Sequence, residues 1–463
     1  MSETTSIKMP STWRGELKAL LVLGIPMGLT QLIQFSIFTV DVIMIGRIGA
    51  DDLAAAALGS VVFFLMWMIG SGPVMAVSPL VSQALGADQN NRQDARHSVR
   101  MAMWVIGLMT PFLFVIFIFT EPIMVALGQD PVIAKKAAHY IWALAISWPF
   151  ALWVMTLRNF LAAINKTAVP LMMVITAVAL NAFFNYIFIF GAFGAPRLEL
   201  VGAGVASTLA TILNFLFFVA YIHWDKEARQ FEIFKNVFQP IWPRFKEVIT
   251  LGWPMSMTTI FEGMLFNACV LLMGLIGILE MAAYQIALNV AALAYMMPWG
   301  LSMAGAVRVG LAAGAKDHGA IKRACFTTMG VSVAMIGAAA VVVGFYPEII
   351  ADAYLSMEAE GNDAVRLLVI SFLPVAAAFM FFDAVQVAAG QLLRGLKDVV
   401  WPMWLCGISY WAIGFTVAAY LGLRTDMGAV GIWYGLLAGL IAASIVLGLR
   451  LWWLVSRKKY IGA

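Results

Sequence analysis

The chain has 463 residues, of which 62% are hydrophobic and 12% charged, with a mean hydropathy of +0.90. A soluble protein of this length needs far more polar surface, so composition excludes that class. The formal net charge of +4 does not indicate nucleic acid, because no aromatic-basic groove pattern accompanies the basic residues.

The polar lead "MSETTSIKMPSTWRGELK" has no small-residue cleavage pattern after the apolar run that follows. Residues 19 onward therefore read as a retained first helix and not as a signal peptide. Apolar runs of about 20 residues, the length that crosses a hydrocarbon core of about 30 Å, then recur along the chain. They cover 19–43, 53–77, 99–119, 137–157, 169–191, 201–222, 248–272, 282–307, 324–346, 366–390, 399–420 and 428–453. None alternates apolar and polar residues as a membrane strand does, so the expected fold is all-α and integral to the membrane, with twelve spanning helices. Of the 29 Lys and Arg, 23 fall on the side that holds the N-terminus. Only Arg47, Lys135, Lys136, Arg197, Arg366 and Arg424 fall on the other, which also carries the acidic loop "EAEGND". That asymmetry predicts that both termini are cytoplasmic.

The chain also repeats itself. "LGIPMGLTQLIQF" at residue 23 resembles "LGWPMSMTTIFEG" at residue 251, an offset of 228. Gly46 and Gly49 fall on Gly274 and Gly277, and Gly86-Ala87 on Gly314-Ala315, at the same offset. A constant shift over such a distance marks an internal repeat. Six spans separate equivalent helices, so the halves are parallel repeats related by a pseudo-twofold axis along the membrane normal. The expected organisation is a cytoplasmic segment (1–18), an N-lobe (19–222), a polar hinge linker (223–247), a C-lobe (248–453) and a cytoplasmic tail (454–463). Two similar lobes suit a carrier that opens to either side in turn. Pro26 and Pro254, one turn into the two first helices, are ordinary kinks or flexible points for lobe movement.

Three carboxylates stand well inside apolar runs: Asp41, Glu262 and Asp383. None has a Lys or Arg one helical turn away, and a lone charge in hydrocarbon is unfavourable unless it faces protein, water or a cation. Desolvation favours the protonated acid and a nearby cation favours the anion, so such groups can exchange a proton for a metal ion or an organic cation. They break the repeat, since Asp41 aligns with Cys269 and Glu262 with Gln34. Amides flank them at helical spacing: Asn181 with Asn185, Gln285 with Asn289, and Gln31 and Gln34 on the helix of Asp41. Their carbonyls can coordinate Na⁺ and their nitrogens can hold a carboxylate, although bonding between helices is an equally open role. Cys269, Cys325 and Cys406 lack ligand spacing and read as core residues.

The two "LGxPM" openings, "DVIMIGRIGADDLAAAALG", "VSQALGA", "FEG", "ALNAFFNYIFIFG" and "FFDAVQVAAGQLLRGLKD" together closely resemble the NorM-type branch of the multidrug and toxic compound extrusion family, from about residue 20 to 450. That resemblance implies a bacterial inner-membrane antiporter, active as a monomer among membrane lipids and without a cofactor. It would export small, mostly aromatic organic cations in exchange for Na⁺ or H⁺. It also implies that Asp41 is the N-lobe acid, with Asn181 and Asn185 beside it, and that Glu262 and Asp383 are the C-lobe cation pair and possible Na⁺ ligands. Some members carry an aspartate where this chain has Asn185. That weakens a proton switch built on Asp41 alone and tilts the reading toward Na⁺. The alternatives are a flippase for lipid-linked oligosaccharides, which usually needs a cationic cavity, and a cation channel lined by carboxylates. No HExxH, GxSxG or P-loop is present, so the chain does not read as an enzyme.

Overall fold

The structure, a computed structural model, describes residues 9–88, 92–355 and 362–458. Part of the acidic loop (358–361) and the tail from residue 459 lie outside them. Helices follow one another in chain order: α1 (Trp13–Gly46), α2 (Ala50–Ala87), α3 (Arg92–Ile118), α4 (Thr120–Ala126), α5 (Pro131–Ala145), α6 (Ser147–Ala163), α7 (Ala168–Phe190) and α8 (Glu199–Trp224). The second half repeats the plan with α9 (Trp242–Ile276), α10 (Ile278–Gly314), α11 (His318–Phe345), α12 (Pro347–Tyr354) and α13 (Asn362–Gly395). It ends with α14 (Val400–Gly407), a π-helical stretch (Ile408–Phe415), α15 (Thr416–Arg424) and α16 (Gly428–Arg457). No strand forms among the described residues. Helices satisfy their own backbone groups, which lipid cannot do.

Eleven helical stretches among the described residues are long and apolar enough to cross a membrane singly. The twelfth span is α5 with α6, bent by 44°. The bend has a local cause. The Ser147 hydroxyl donates to the Leu144 carbonyl at 2.6 Å, and Pro149 has no N–H to offer the carbonyl one turn back. Large apolar side chains such as Phe112, Leu271 and Leu275 stand exposed, as lipid-facing positions do.

The chain divides into two compact units, Leu29–Ser256 and Met1–Gly28 with Met257–Ala463. The long helices α1 and α9 are therefore each shared, giving their first half to one unit and their second half to the other.

In the unit Leu29–Ser256, α2 carries Pro73 in its interior, and the missing proline N–H frees the Ile69 carbonyl. Ser256 of α9 fills that gap: its hydroxyl donates to Ile69 O at 2.8 Å and accepts from Gly72 N at 3.0 Å. The approach requires glycine. A Cβ on Gly72 would lie 2.1 Å from the carbonyl oxygen of Gly252. The segment after α8 is pinned to this unit. Lys166 pairs with Asp225 at 2.8 Å and Arg96 with Glu232 at 2.9 Å. Arg100 bonds the carbonyls of Asn236 and Gln239, and Trp104 Nε1 donates to Val237 O. Burial alone would raise the Asp225 carboxyl, but the Ala228 N–H and the Lys166 ammonium outweigh it and hold the group below its ordinary value.

In the other unit the repeat-equivalent crossing joins α1 to α10, where a Cβ on Gly300 would lie 2.2 Å from Gly28 N. Nearby, Arg308 donates through Nε to Glu16 Oε1 at 2.8 Å and through Nη2 to Glu16 Oε2 at 2.7 Å. Glu16 is 1% exposed and Arg308 4%. Glu16 is thus a further buried carboxylate, in a segment whose sequence reads as a polar lead. It extends α1 six residues before residue 19.

Candidate functional site

Asp41 lies five residues before the end of α1, beside α7 and α8 of its unit. Asn185 Nδ2 donates to Asp41 Oδ1 at 2.6 Å and to Asn181 Oδ1 at 3.2 Å. Asn181 Nδ2 in turn donates to Ser207 Oγ at 3.0 Å, and that hydroxyl donates to Asp41 Oδ2 at 3.5 Å. Asn181 and Asn185 meet the same carboxylate because residues four apart share a helix face. Asn185 is fully buried, and its Oδ1 has no hydrogen-bond partner. The cluster therefore has surplus acceptors: a carboxylate and an orphaned amide oxygen. A proton or a small hard cation satisfies that surplus.

The second cluster lies in the unit that holds α13. Glu262 of α9 and Asp383 of α13 share one amide nitrogen: Gln386 Nε2 donates to Glu262 Oε1 at 3.1 Å and to Asp383 Oδ1 at 3.2 Å. The Tyr410 hydroxyl donates to Gln386 Oε1 at 2.9 Å and so orients the amide with its N–H groups toward both acids. Tyr410 stands in the π-helical stretch, a distortion often found at functional sites. The Arg394 guanidinium is near enough to Glu262 to act on its charge, and Tyr295 of α10 lies within electrostatic reach of both acids. One amide cannot neutralise two carboxylates. With one guanidinium in reach, the pair still carries net negative charge when both acids are ionised, and a proton or a cation between them can remove it.

A MatE family profile matches residues 26–187 and again residues 254–420. The chain belongs to the MatE family. The two matches begin at Pro26 and Pro254, so the family pattern recurs at the offset of the internal repeat. A protein of Rhizobium meliloti (strain 1021) named probable multidrug resistance protein NorM is 38% identical over 455 residues, 96% of this chain and 95% of that protein. A Mesorhizobium japonicum protein of the same name is 36% identical over 436 residues, covering 94% and 93%. In fold, the chain matches a MOP-superfamily transporter from Pyrococcus furiosus with a TM-score of 0.88 at 18% identity, over 99% of this chain and all of that one.

This MatE chain thus brings Asp41, Asn181 and Asn185 into one cluster and Glu262 with Asp383 into another. The remaining amides singled out by spacing go elsewhere. Asn289 accepts from the Tyr354 hydroxyl at 2.9 Å, Gln285 is exposed, and Gln34 accepts from Arg158 at 2.7 Å. Ser207, Gln386, Tyr410 and Arg158 escape the sequence reading. Gln386 carries a usable signal, one turn beyond Asp383, whereas the others matter only through partners distant in sequence. The interior also holds positive charge, since Arg158 and Arg308 are buried. Among the described residues no group of three or more His, Cys, Asp or Glu forms a metal cluster. An ion at the first cluster would rest on one carboxylate with amide and hydroxyl oxygens, and an ion at the second on the two carboxylates.

Proposed function

We propose that this MatE protein is a secondary active multidrug efflux antiporter of the bacterial inner membrane, with both termini cytoplasmic. It exchanges inward Na⁺ or H⁺ for cationic aromatic compounds by alternating access. The observation that carries the reading is the pair of acceptor-rich carboxylate clusters within helices that are apolar enough to span a membrane. Each is built to hold a proton or cation, and an acid in that setting is costly without a functional occupant. Filling a cluster neutralises it, and emptying it restores a negative charge that can attract an organic cation. Opposed occupancy of this kind couples the two flows. The names of the rhizobial relatives support drug export as the outcome.

The test uses purified full-length protein in liposomes, an imposed Na⁺ or pH gradient and a fluorescent cationic dye. The gradient that drives dye movement identifies the coupling ion. E262Q and D383N should each abolish gradient-driven movement while remaining monodisperse. Wild-type rates in both variants would refute the assignment of the pair.

A further inference from the structure

Arg158 of α6 is 7% exposed, yet it has no acidic partner among the described residues. Its Nη1 donates to Gln34 Oε1 at 2.7 Å, and its Nη2 is buried without a hydrogen-bond partner. A buried guanidinium ordinarily brings a carboxylate with it, as Arg308 brings Glu16. Its location explains why a bare charge is useful. By the alternation of spans, α1 ends on the side of the membrane where the bent span α5–α6 begins, and α6 ends on the opposite side. Asp41 lies five residues before the end of α1 and Arg158 five before the end of α6, so they belong to opposite halves of the membrane. Gln34, which the guanidinium reaches, is seven residues before Asp41, about 10 Å along the helix. A cation that enters from the far side and reaches Asp41 therefore next meets a fixed positive charge.

The repeat sharpens the contrast. Gln34 aligns with Glu262, whose carboxylate has the Arg394 guanidinium nearby. In one unit the positive charge faces an acid. In the other the acid is replaced by an amide, which orients an arginine without neutralising it. Arginine keeps its proton in any protein environment, so the charge is permanent.

We propose that Arg158 is a fixed-charge barrier: it denies the coupling cation a route from Asp41 through the unit Leu29–Ser256 to the N-terminal side, so that the ion crosses only when the transporter changes state. An arginine lining a conduction path excludes cations on the same principle, and weak screening away from water strengthens the effect. The proposal rests on the cation-coupled reading above.

The experiment measures the decay of an imposed Na⁺ or pH gradient in liposomes holding the full-length protein, with an ion-sensitive dye inside and no organic substrate. Wild type and R158K, which keeps the charge, should hold the gradient. R158Q should dissipate it about tenfold faster. Q34E provides a second approach that leaves the arginine in place. It sets a carboxylate against the guanidinium, neutralises it and should leak similarly. Should R158Q aggregate, Q34E decides, and a wild-type decay rate in Q34E overturns the barrier. Wild-type liposomes that move no cationic dye under either gradient refute the coupling reading, and the barrier with it. Gradient-driven movement by wild type together with a tight, monodisperse R158Q refutes the barrier alone.

Discussion

The Glu16–Arg308 pair offers the sharpest test of what ties the first half of α1 to α10. Both side chains are almost fully withdrawn from solvent, and both guanidinium bonds are short and charge-assisted, at 2.8 and 2.7 Å. Solvent screening therefore gives no reason to discount their interaction. Replacing Glu16 by Met leaves a buried guanidinium without its acceptor, and R308M leaves a buried carboxylate without its forked donor. Each single change should destabilise the protein by about 3–5 kcal/mol. The double variant E16M/R308M removes both charges and keeps comparable volume, so it should lie within about 1–2 kcal/mol of wild type, or be more stable. The double-mutant cycle thus predicts a large favourable coupling. Reversible unfolding in mixed detergent micelles, followed by the fluorescence of the 16 tryptophans, supplies the four free energies. If the double variant is as unstable as the two singles added together, the charges act independently and the pair is not what fastens α1.

Four further outcomes follow from the geometry. E262Q and D383N should eliminate gradient-driven dye movement without unfolding the chain, in the liposome assay described above. D41N retains shape and hydrogen bonding to Asn185 but removes the charge, so export of cationic substrates should fall strongly while neutral substrates are less affected; equal export of both classes would reduce Asp41 to a structural polar group. S256A removes the hydroxyl that serves Ile69 O and Gly72 N beside Pro73, and leaving those groups unsatisfied should cost about 1–3 kcal/mol in the same unfolding assay. Asp225 has a folded pKa below its ordinary value, so its contribution is present above the unfolded pKa and lost only as pH falls through the folded one. Protease protection of residues 225–241 should therefore hold from pH 7 to pH 5 and fail in stronger acid, whereas D225N should lose it throughout.

The spans were legible because a membrane helix must be apolar for about 20 residues, and that constraint is written locally. Their ends were not. A helix continues past its apolar run whenever something satisfies the polar residues beyond, and for α1 that something is Arg308, 292 residues from Glu16. The same limit governs the clusters. Asn181 with Asn185 and Gln285 with Asn289 have identical spacing, yet the first pair meets Asp41 while Asn289 meets Tyr354. Spacing identifies a shared face but not what lies opposite. Ser207 sits in "GAGVASTLA", which reads as small-residue packing between helices, and Tyr410 gains its partner through a π-helical stretch that no local pattern signals.

The repeat explains why the two clusters sit at different depths. At the position equivalent to Asp41, the other unit places Cys269, fully buried. The nearby space is filled by Tyr284 and Trp433, whose rings stand 5.2 Å apart. Trp433 aligns with Ala206, next to the Ser207 that serves Asp41. A tryptophan in place of an alanine leaves no room for a hydrated acid, so that unit carries its charge elsewhere. Glu262 lies 14 residues before the end of α9, whereas Asp41 lies five before the end of α1. Each unit has an acid at a level where its counterpart is uncharged: Asp41 opposite Cys269, and Glu262 opposite Gln34. An acid one turn or so from the membrane surface regains water readily when its helix end opens, while one near mid-helix does so only through a deeper opening. On the proposed mechanism the two clusters therefore respond to different stages of the cycle.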